Sequence, residues 1–439
     1  DNNANDITLT ANGATSNIVV GTINAGNTNG DIVLLAGRSI LDADAMDPDL
    51  IANDATLTAT TGSIGGTSAD VFLGIFDPLE VNLSGDLTAT ATIGAVAVKG
   101  TILGSTSANA VTLYLQSDGD LNFLSTTPTL TNLALIADAD GNGVGTLNLG
   151  NSLTVSGDLR VEGAAITAAD GTIDLAATRL GIRSRQSQTV STVVSMLDAE
   201  ITNSLNPALV LTFNLTNTGA LTIQDLYGSP DGVRIQGGGS IAAMSPLTIN
   251  SNVSVSASTT FAAGDSATAN DDLLINNNAI VTLSGTAANA TLNFTAGDDI
   301  VFDTGSIMAI EAGRTHVVDL TADHEGPADP DRGSITNSAS VVVSVSAATL
   351  QISAFDGIGR SSGDAGTFNG SDLRINAQTL TFDSAGAVAI EDSTSTLITG
   401  TNTALSLALT SGGAITDASG VSITVTNNGS FNAANAVTL

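Results

Sequence analysis

The sequence predicts an all-β protein: a right-handed parallel β-solenoid, or β-helix, of about 20 residues per coil with loop excursions. Three observations predict it. Aliphatic and small polar residues alternate in short runs. Those runs end at Gly, Asn or Asp. The runs recur at a nearly fixed spacing.

The alternation is clear in Ile7-Thr8-Leu9-Thr10, in Thr56-Leu57-Thr58-Ala59-Thr60 and in Leu405-Ser406-Leu407-Ala408-Leu409. A period of two is that of a half-buried strand. Gly, Asn and Asp at the ends of the runs are turn residues, which accept the left-handed conformations that tight corners need. The recurrence shows in the pairs Leu113/Leu115, Leu133/Leu135, Leu153/Val155 and Ile173/Leu175, which follow one another in the same phase. One coil of three short strands and three turns needs about that many residues, and stacked coils bury aliphatics that no single coil can bury alone. Right-handedness follows from the bias of parallel crossovers. The sequence reads as a single solenoid over 1–439, with excursions at 42–54, 183–206 and 323–333. In the second of these, Val190, Val193, Val194, Leu197 and Ile201 fall at helical spacing, so a short helix or an ordered loop is expected there. About 22 coils at roughly 4.8 Å each would make a rod on the order of 100 Å long.

Composition agrees with a narrow core. Apolar residues make up 42%, but aromatics only 3%, with no Trp, so small aliphatics must fill the interior. The 43 acidic residues outnumber 11 basic ones, giving a net charge of −32, and Lys99 is the sole lysine. Such a surface disfavours nucleic acid and favours divalent cations. The absence of cysteine excludes disulfides and thiol chemistry. No run is long and apolar enough for a membrane span.

Longer motifs carry a resemblance. Arg38-Ser39-Ile40-Leu41-Asp42-Ala43-Asp44 precedes Ala55-Thr56-Leu57-Thr58-Ala59-Thr60-Thr61-Gly62-Ser63-Ile64-Gly65, then Asp77-Pro78-Leu79-Glu80-Val81 and Gly85-Asp86-Leu87-Thr88-Ala89. A second copy runs through Arg332-Gly333-Ser334-Ile335, Ala348-Thr349-Leu350-Gln351-Ile352 and Asp356-Gly357-Ile358-Gly359. These stretches resemble the repeat region of giant secreted bacterial proteins of the filamentous haemagglutinin type. The resemblance implies a β-helical shaft, exported to the cell surface, acting in adhesion or as matrix.

Candidate sites are acidic. Asp138-Ala139-Asp140-Gly141-Asn142-Gly143 matches the first half of a calcium loop, with Asp138, Asp140 and Asn142 as ligands; the twelfth position is Leu149, where such loops carry Glu. A polar turn is the competing reading. Asp42, Asp44, Asp47, Asp49 and Asp54 crowd one stretch, and Asp323, His324, Glu325, Asp329 and Asp331 form a parallel cluster, both containing Asp-Pro-Asp. Packed carboxylates repel unless a cation or solvent screens them, so calcium competes here with a solvated loop. A zinc site with His316, Asp319 and His324 fits no common template. The pairs Asp271-Asp272 and Asp298-Asp299 suit acid/base hydrolysis of sugars less well than they suit turns, because basic neighbours and aromatic platforms do not accompany them. The cluster Arg179, Arg183 and Arg185 either docks carboxylates of another subunit or is a solvated loop.

The expected function is therefore that of a non-enzymatic, extracellular structural fibre or shaft segment. It would associate end to end with copies of itself or with neighbouring repeats of a longer chain. An adhesin that binds carbohydrate or a surface protein through its loops is the alternative, with Phe72 and Phe76 as its nearest aromatic pair. A polysaccharide-active enzyme ranks below both.

Overall fold

The structure, a computed structural model, describes residues 5–43, 48–66, 72, 77–123, 130–150, 152–229, 231–264, 271–285, 289–309, 314–323, 333–337, 344–359 and 372–439. Among these residues every regular element is a β-strand, and the strand pairs run parallel from one coil to the next. The chain is a parallel β-solenoid. Its residues cluster into two compact units: 1–194 with 199–207, and 195–198 with 208–439.

In the first unit, eight short strands from Ile7–Ala11 to Ala165–Ala168 stack into one sheet. Leu9 lies opposite Leu34, Leu34 opposite Leu57 and Leu57 opposite Ala89. Leu34, Leu57 and Ala89 are fully buried. A second sheet stacks Leu79–Leu83, Ala95–Ile102, Thr112–Gln116, Asn132–Ile136, Asp158–Gly163 and Arg179–Ser184. Its inward ladder is Leu79, Val98, Leu115, Leu135, Val161 and Ile182. Gly100 adopts φ +127° where a Cβ would meet the Val81 carbonyl oxygen at 2.0 Å, so the sheet admits only glycine there.

In the second unit, Leu221, Leu247, Leu273, Ile300, Ile335 and Ile358 form one inward ladder. Ile241, Phe261, Phe294, Leu320, Ile352 and Phe382 form another. The rings of Phe261 and Phe294 stack with centroids 5.1 Å apart, an arrangement that adds to their burial.

Two expectations need correction. Gln188–Val193 and Met196–Ile201 are strands, not a helix or loop. Gln188, Val190 and Thr192 point inward at the two-residue period while Thr189, Ser191 and Val193 face out, so the spacing that imitates a helix comes from one outward valine. The common phase of the four aliphatic pairs also breaks. Leu113 does lie opposite Leu133, but the next partner of Leu133 is Leu159 rather than Leu153. Leu153 belongs to a different row and pairs with Leu175. The loop after Ile136 lengthens that coil and displaces the register. Coil length varies widely. Ile173 lies opposite Val190, a short step along the chain, whereas Ile307 lies opposite Val345, a much longer one.

Candidate functional site

The corners show what most of the acid does. Asp31 N–H donates to Asp6 Oδ1 (3.1 Å), Asp54 N–H to Asp31 Oδ1 (3.2 Å), Asp86 N–H to Asp54 Oδ1 (2.7 Å) and Ser105 N–H to Asp86 Oδ1 (2.7 Å). Each side chain thus caps an amide one coil on, a charge-assisted bond at a place where the ladder leaves a donor over. Asp54, grouped in the sequence with Asp42 and Asp49, belongs to this corner. The second unit repeats the device. Asp271 N–H donates to Asp298 Oδ2 (2.9 Å), Asp299 N–H to Asp272 Oδ1 (3.2 Å) and Ser334 N–H to Asp299 Oδ1 (2.7 Å). Burial, with Asp299, Asp298 and Asp271 nearby, raises the Asp272 carboxyl above its usual range, against the lowering hydrogen bond from the Asp299 amide.

Asp49 is different. The sequence places it in a loop excursion, but it leads directly into the strand Leu50–Ala52 and is fully buried. Its N–H donates to the Glu80 carbonyl at 2.9 Å, its carbonyl accepts from Ile23 N–H at 2.7 Å, and its Oδ2 accepts from Glu80 N–H at 2.9 Å. Glu80, in the strand Leu79–Leu83, is 7% exposed. Asp42 ends the strand Ile40–Asp42 and is half-buried. One carboxylate oxygen from each of Asp42, Asp49 and Glu80 lies within 4.8 Å of the other two. Asp49 Oδ1 and Glu80 Oε2 are buried and accept no hydrogen bond. The cation at hand is Lys99, opposite Glu80 in the next coil, with Nζ 2.6 Å from Glu80 Oε1. Burial, reinforced by Glu80 and Asp42, pushes the Asp49 carboxyl up to about 8, although the Glu80 amide pulls the other way. Asp44 and Asp47, assigned to the same cluster, lie outside the described residues.

The Asp138 loop does not gather its oxygens. Asp138 Oδ1 accepts from the amides of Gly143 (2.8 Å) and Val144 (3.3 Å), while its Oδ2 meets Arg185 Nε at 3.0 Å. Arg185 Nη2 also donates to the Gly141 carbonyl at 2.9 Å. Asp140 accepts from the amide and the side-chain Nδ2 of Asn142. A guanidinium and the loop's own amides hold this turn, so the expected convergence of Asp138, Asp140 and Asn142 on one ion is not the arrangement found.

The arginine cluster meets acids of its own unit rather than standing out for a partner. Arg179 Nε lies 2.6 Å from Asp158 Oδ1, and Arg160 grips Glu162 through two bonds of 2.8 and 3.0 Å. Arg183 sits between Glu162 (3.7 Å) and Glu200 (3.6 Å). Phe72 is buried beneath them. Its carbonyl accepts from Arg160 at 3.3 Å, and Arg179 lies over its ring at 5.1 Å. Arg160, Glu162, Arg183 and Glu200, with Tyr114, Gln116 and Ser204, line an open groove of about 370 Å³. Phe76 lies outside the described residues.

Of the remaining acidic cluster, Asp323 turns the chain after the strand Val317–Ala322 with φ 62°. His324, Glu325, Asp329 and Asp331 lie outside the described residues. His316 is fully buried, and burial raises the Asp319 carboxyl despite a hydrogen bond from Thr321.

Sequence reasoning misses Glu80 and Lys99 as members of a site. The signal is there: they stand one coil apart, and each is a charge in an otherwise largely aliphatic strand. No protein-family model, curated protein or solved structure matches the chain.

Proposed function

We propose that this chain is a non-catalytic, extracellular structural segment whose solenoid is extended by a further coil, either from a second copy or from neighbouring repeats of a longer protein. The coil-on-coil stack is the observation that carries this reading: ladders such as Leu221, Leu247, Leu273, Ile300, Ile335 and Ile358 give each coil the same apolar row as the next. In the second unit the strands Ser422–Val425, Gly429–Ala433 and Val437–Thr438 each pair with the preceding coil on one side only, among the described residues, and Val437 and Leu439 are exposed. Leu407 N–H donates to the Asn428 carbonyl and Ala434 N–H to the Ser411 carbonyl. That alternation turns the amides of Gly429, Phe431 and Ala433 toward the open side. In the first unit, Ile7–Ala11 pairs only with Ile32–Ala36 among the described residues, and Leu9 is 40% exposed. Unpaired edges of this kind are templates for another strand. The carboxylates of Asp272, Asp298 and Asp299 accept backbone amides, which favours a coil-joining role over acid/base chemistry.

Electron microscopy of the purified protein, with calcium and then with chelator, tests the proposal. Uniform filaments would support self-assembly, and Ala433→Pro, which removes one outward donor, should shorten or abolish them. Dispersed particles in every condition would rule out end-to-end assembly of copies and leave only continuation within a longer chain.

A second reading, an adhesin, rests on the groove lined by Tyr114, Arg160, Glu162 and Arg183, whose mixed charges suit a polar ligand such as a carbohydrate. Saturable glycan binding lost in Arg183→Ala would favour it.

A further inference from the structure

Two oxygens at the Asp42, Asp49 and Glu80 cluster are buried without a hydrogen-bond partner. They are Asp49 Oδ1 and Glu80 Oε2, and both belong to side chains more than nine-tenths buried. Lys99 meets the other oxygen of Glu80, so one ammonium serves a place where three carboxylates converge. Burying a carboxylate oxygen without a partner is costly. We infer that Asp42, Asp49 and Glu80 form a binding site for a hard divalent cation, with calcium as its expected occupant.

The donor set supports that class of ion. All three ligands are carboxylates, without the imidazole or thiolate that selects zinc. Oxygens bound to a single calcium at about 2.3–2.6 Å lie less than about 5 Å apart, and these three lie within 4.8 Å of one another before any ion is present. Asp49 is held at both its amide and its carbonyl, and Glu80 at its amide, so two ligands are positioned by the coil stack itself. Asp42, half-buried, supplies the ligand nearest to solvent. A bound ion would tie the neighbouring Asp42 and Asp49 to Glu80 of a later coil. The site is independent of the proposed end-to-end assembly, because none of its ligands lies on the open edge strand Ile7–Ala11.

Calorimetric titration of the whole chain, first freed of ions with chelator, tests this with calcium chloride and separately with magnesium chloride. Saturable calcium binding is expected, weakened at least tenfold in Asp49→Asn and in Glu80→Gln and unchanged in Asp140→Asn. Binding of magnesium in preference to calcium, with the same variant pattern, would support the site and reassign the ion. Lys99→Met gives a readout that misfolding cannot imitate. Removing the competing ammonium should tighten binding severalfold. The inference is overturned by the absence of saturable binding of either ion at millimolar concentration. It is equally overturned by wild-type affinity in Asp49→Asn or Lys99→Met, or by loss of binding in Asp140→Asn, which would move the ion to the Asp138 loop.

Discussion

Glu80 and Arg183 stand in one row of one sheet. Glu80 lies opposite Lys99, Lys99 opposite Gln116, Gln116 opposite Ile136, Ile136 opposite Glu162, and Glu162 opposite Arg183. The two ends of the row treat acid differently. At the Arg183 end, Asp138, Asp158, Glu162 and Glu200 meet Arg160, Arg179, Arg183 and Arg185, charge for charge. At the Glu80 end, Asp42 and Asp49 converge on Glu80, whose ammonium partner is Lys99. A parallel solenoid places residues one coil apart side by side, so a carboxylate's fate depends on what stands one coil before and after it. Where that neighbour is an arginine, the row is a closed network. Where it is another carboxylate, the row asks for a proton or a metal ion.

The largest expected effect breaks the balanced end. Arg160 and Glu162 keep only 12% and 13% of their side chains exposed. Arg160→Met leaves Glu162 buried with the more distant Arg183 as its cation and removes the bond to the Phe72 carbonyl. A loss of about 3 kcal/mol is expected in denaturant unfolding, with much of it recovered when Glu162→Gln is added. Equal stability of the single variant and wild type would mean that the network contributes nothing.

The next effect belongs to the unbalanced end and is read by pH. Asp49 holds its proton up to about 8 in the folded chain, against 3.8 for an ordinary aspartate. Between those values the folded state binds a proton that the unfolded state has released. Stability should therefore be greatest near pH 4, as far as this group is concerned, and decline as pH rises through 8. Asp42, Glu80 and Lys99 are the charged groups facing it. In chelator, the melting temperature of wild type should fall between pH 5 and pH 9 by several degrees more than that of Asp49→Asn. A parallel decline in the two proteins would place the pH dependence elsewhere. Lys99→Met follows, with a loss of about 1–2 kcal/mol in chelator at pH 8, since Glu80 is left beside two acids without its ammonium. Saturating calcium should reverse most of that loss.

The fold is legible in the sequence because burial at a period of two is a local property, and Ile32–Ala36 or Leu87–Ala91 show it without reference to any other coil. Partners are less legible. Leu113 opposite Leu133 can be read because that coil has an ordinary length; Leu133 opposite Leu159 cannot, because residues inserted after Ile136 shift everything beyond them. The same arithmetic governs the site. Asp42 and Asp49 are visible as neighbours in a crowded acidic stretch, but Glu80 joins them from a later coil, and what lies between gives no sign of where that coil closes. Asp158 meets Arg179 and Glu162 stands opposite Arg183 across a single coil, and matching them requires the length of that one coil.

The smallest expected effect concerns the Asp138 loop, which lies between the two cases. It has the acid spacing of a cation loop, yet Arg185 and the amides of Gly143 and Val144 already occupy Asp138. Asp140 is exposed and bonds to Asn142 within its own turn. Asp140→Asn should therefore change stability by no more than about 0.5 kcal/mol, as ordinary surface substitutions do, and should leave the calcium response intact. Arg185→Met in the same assay should cost more, because it leaves the almost fully buried Asp138 carboxylate without its cation and turns a satisfied loop into one that resembles the Glu80 end of the row. If calcium then stabilises Arg185→Met more than it stabilises wild type, an arginine two coils on is what distinguishes a closed turn from an ion site. A calcium response that is the same in both would show that the backbone amides alone close this turn.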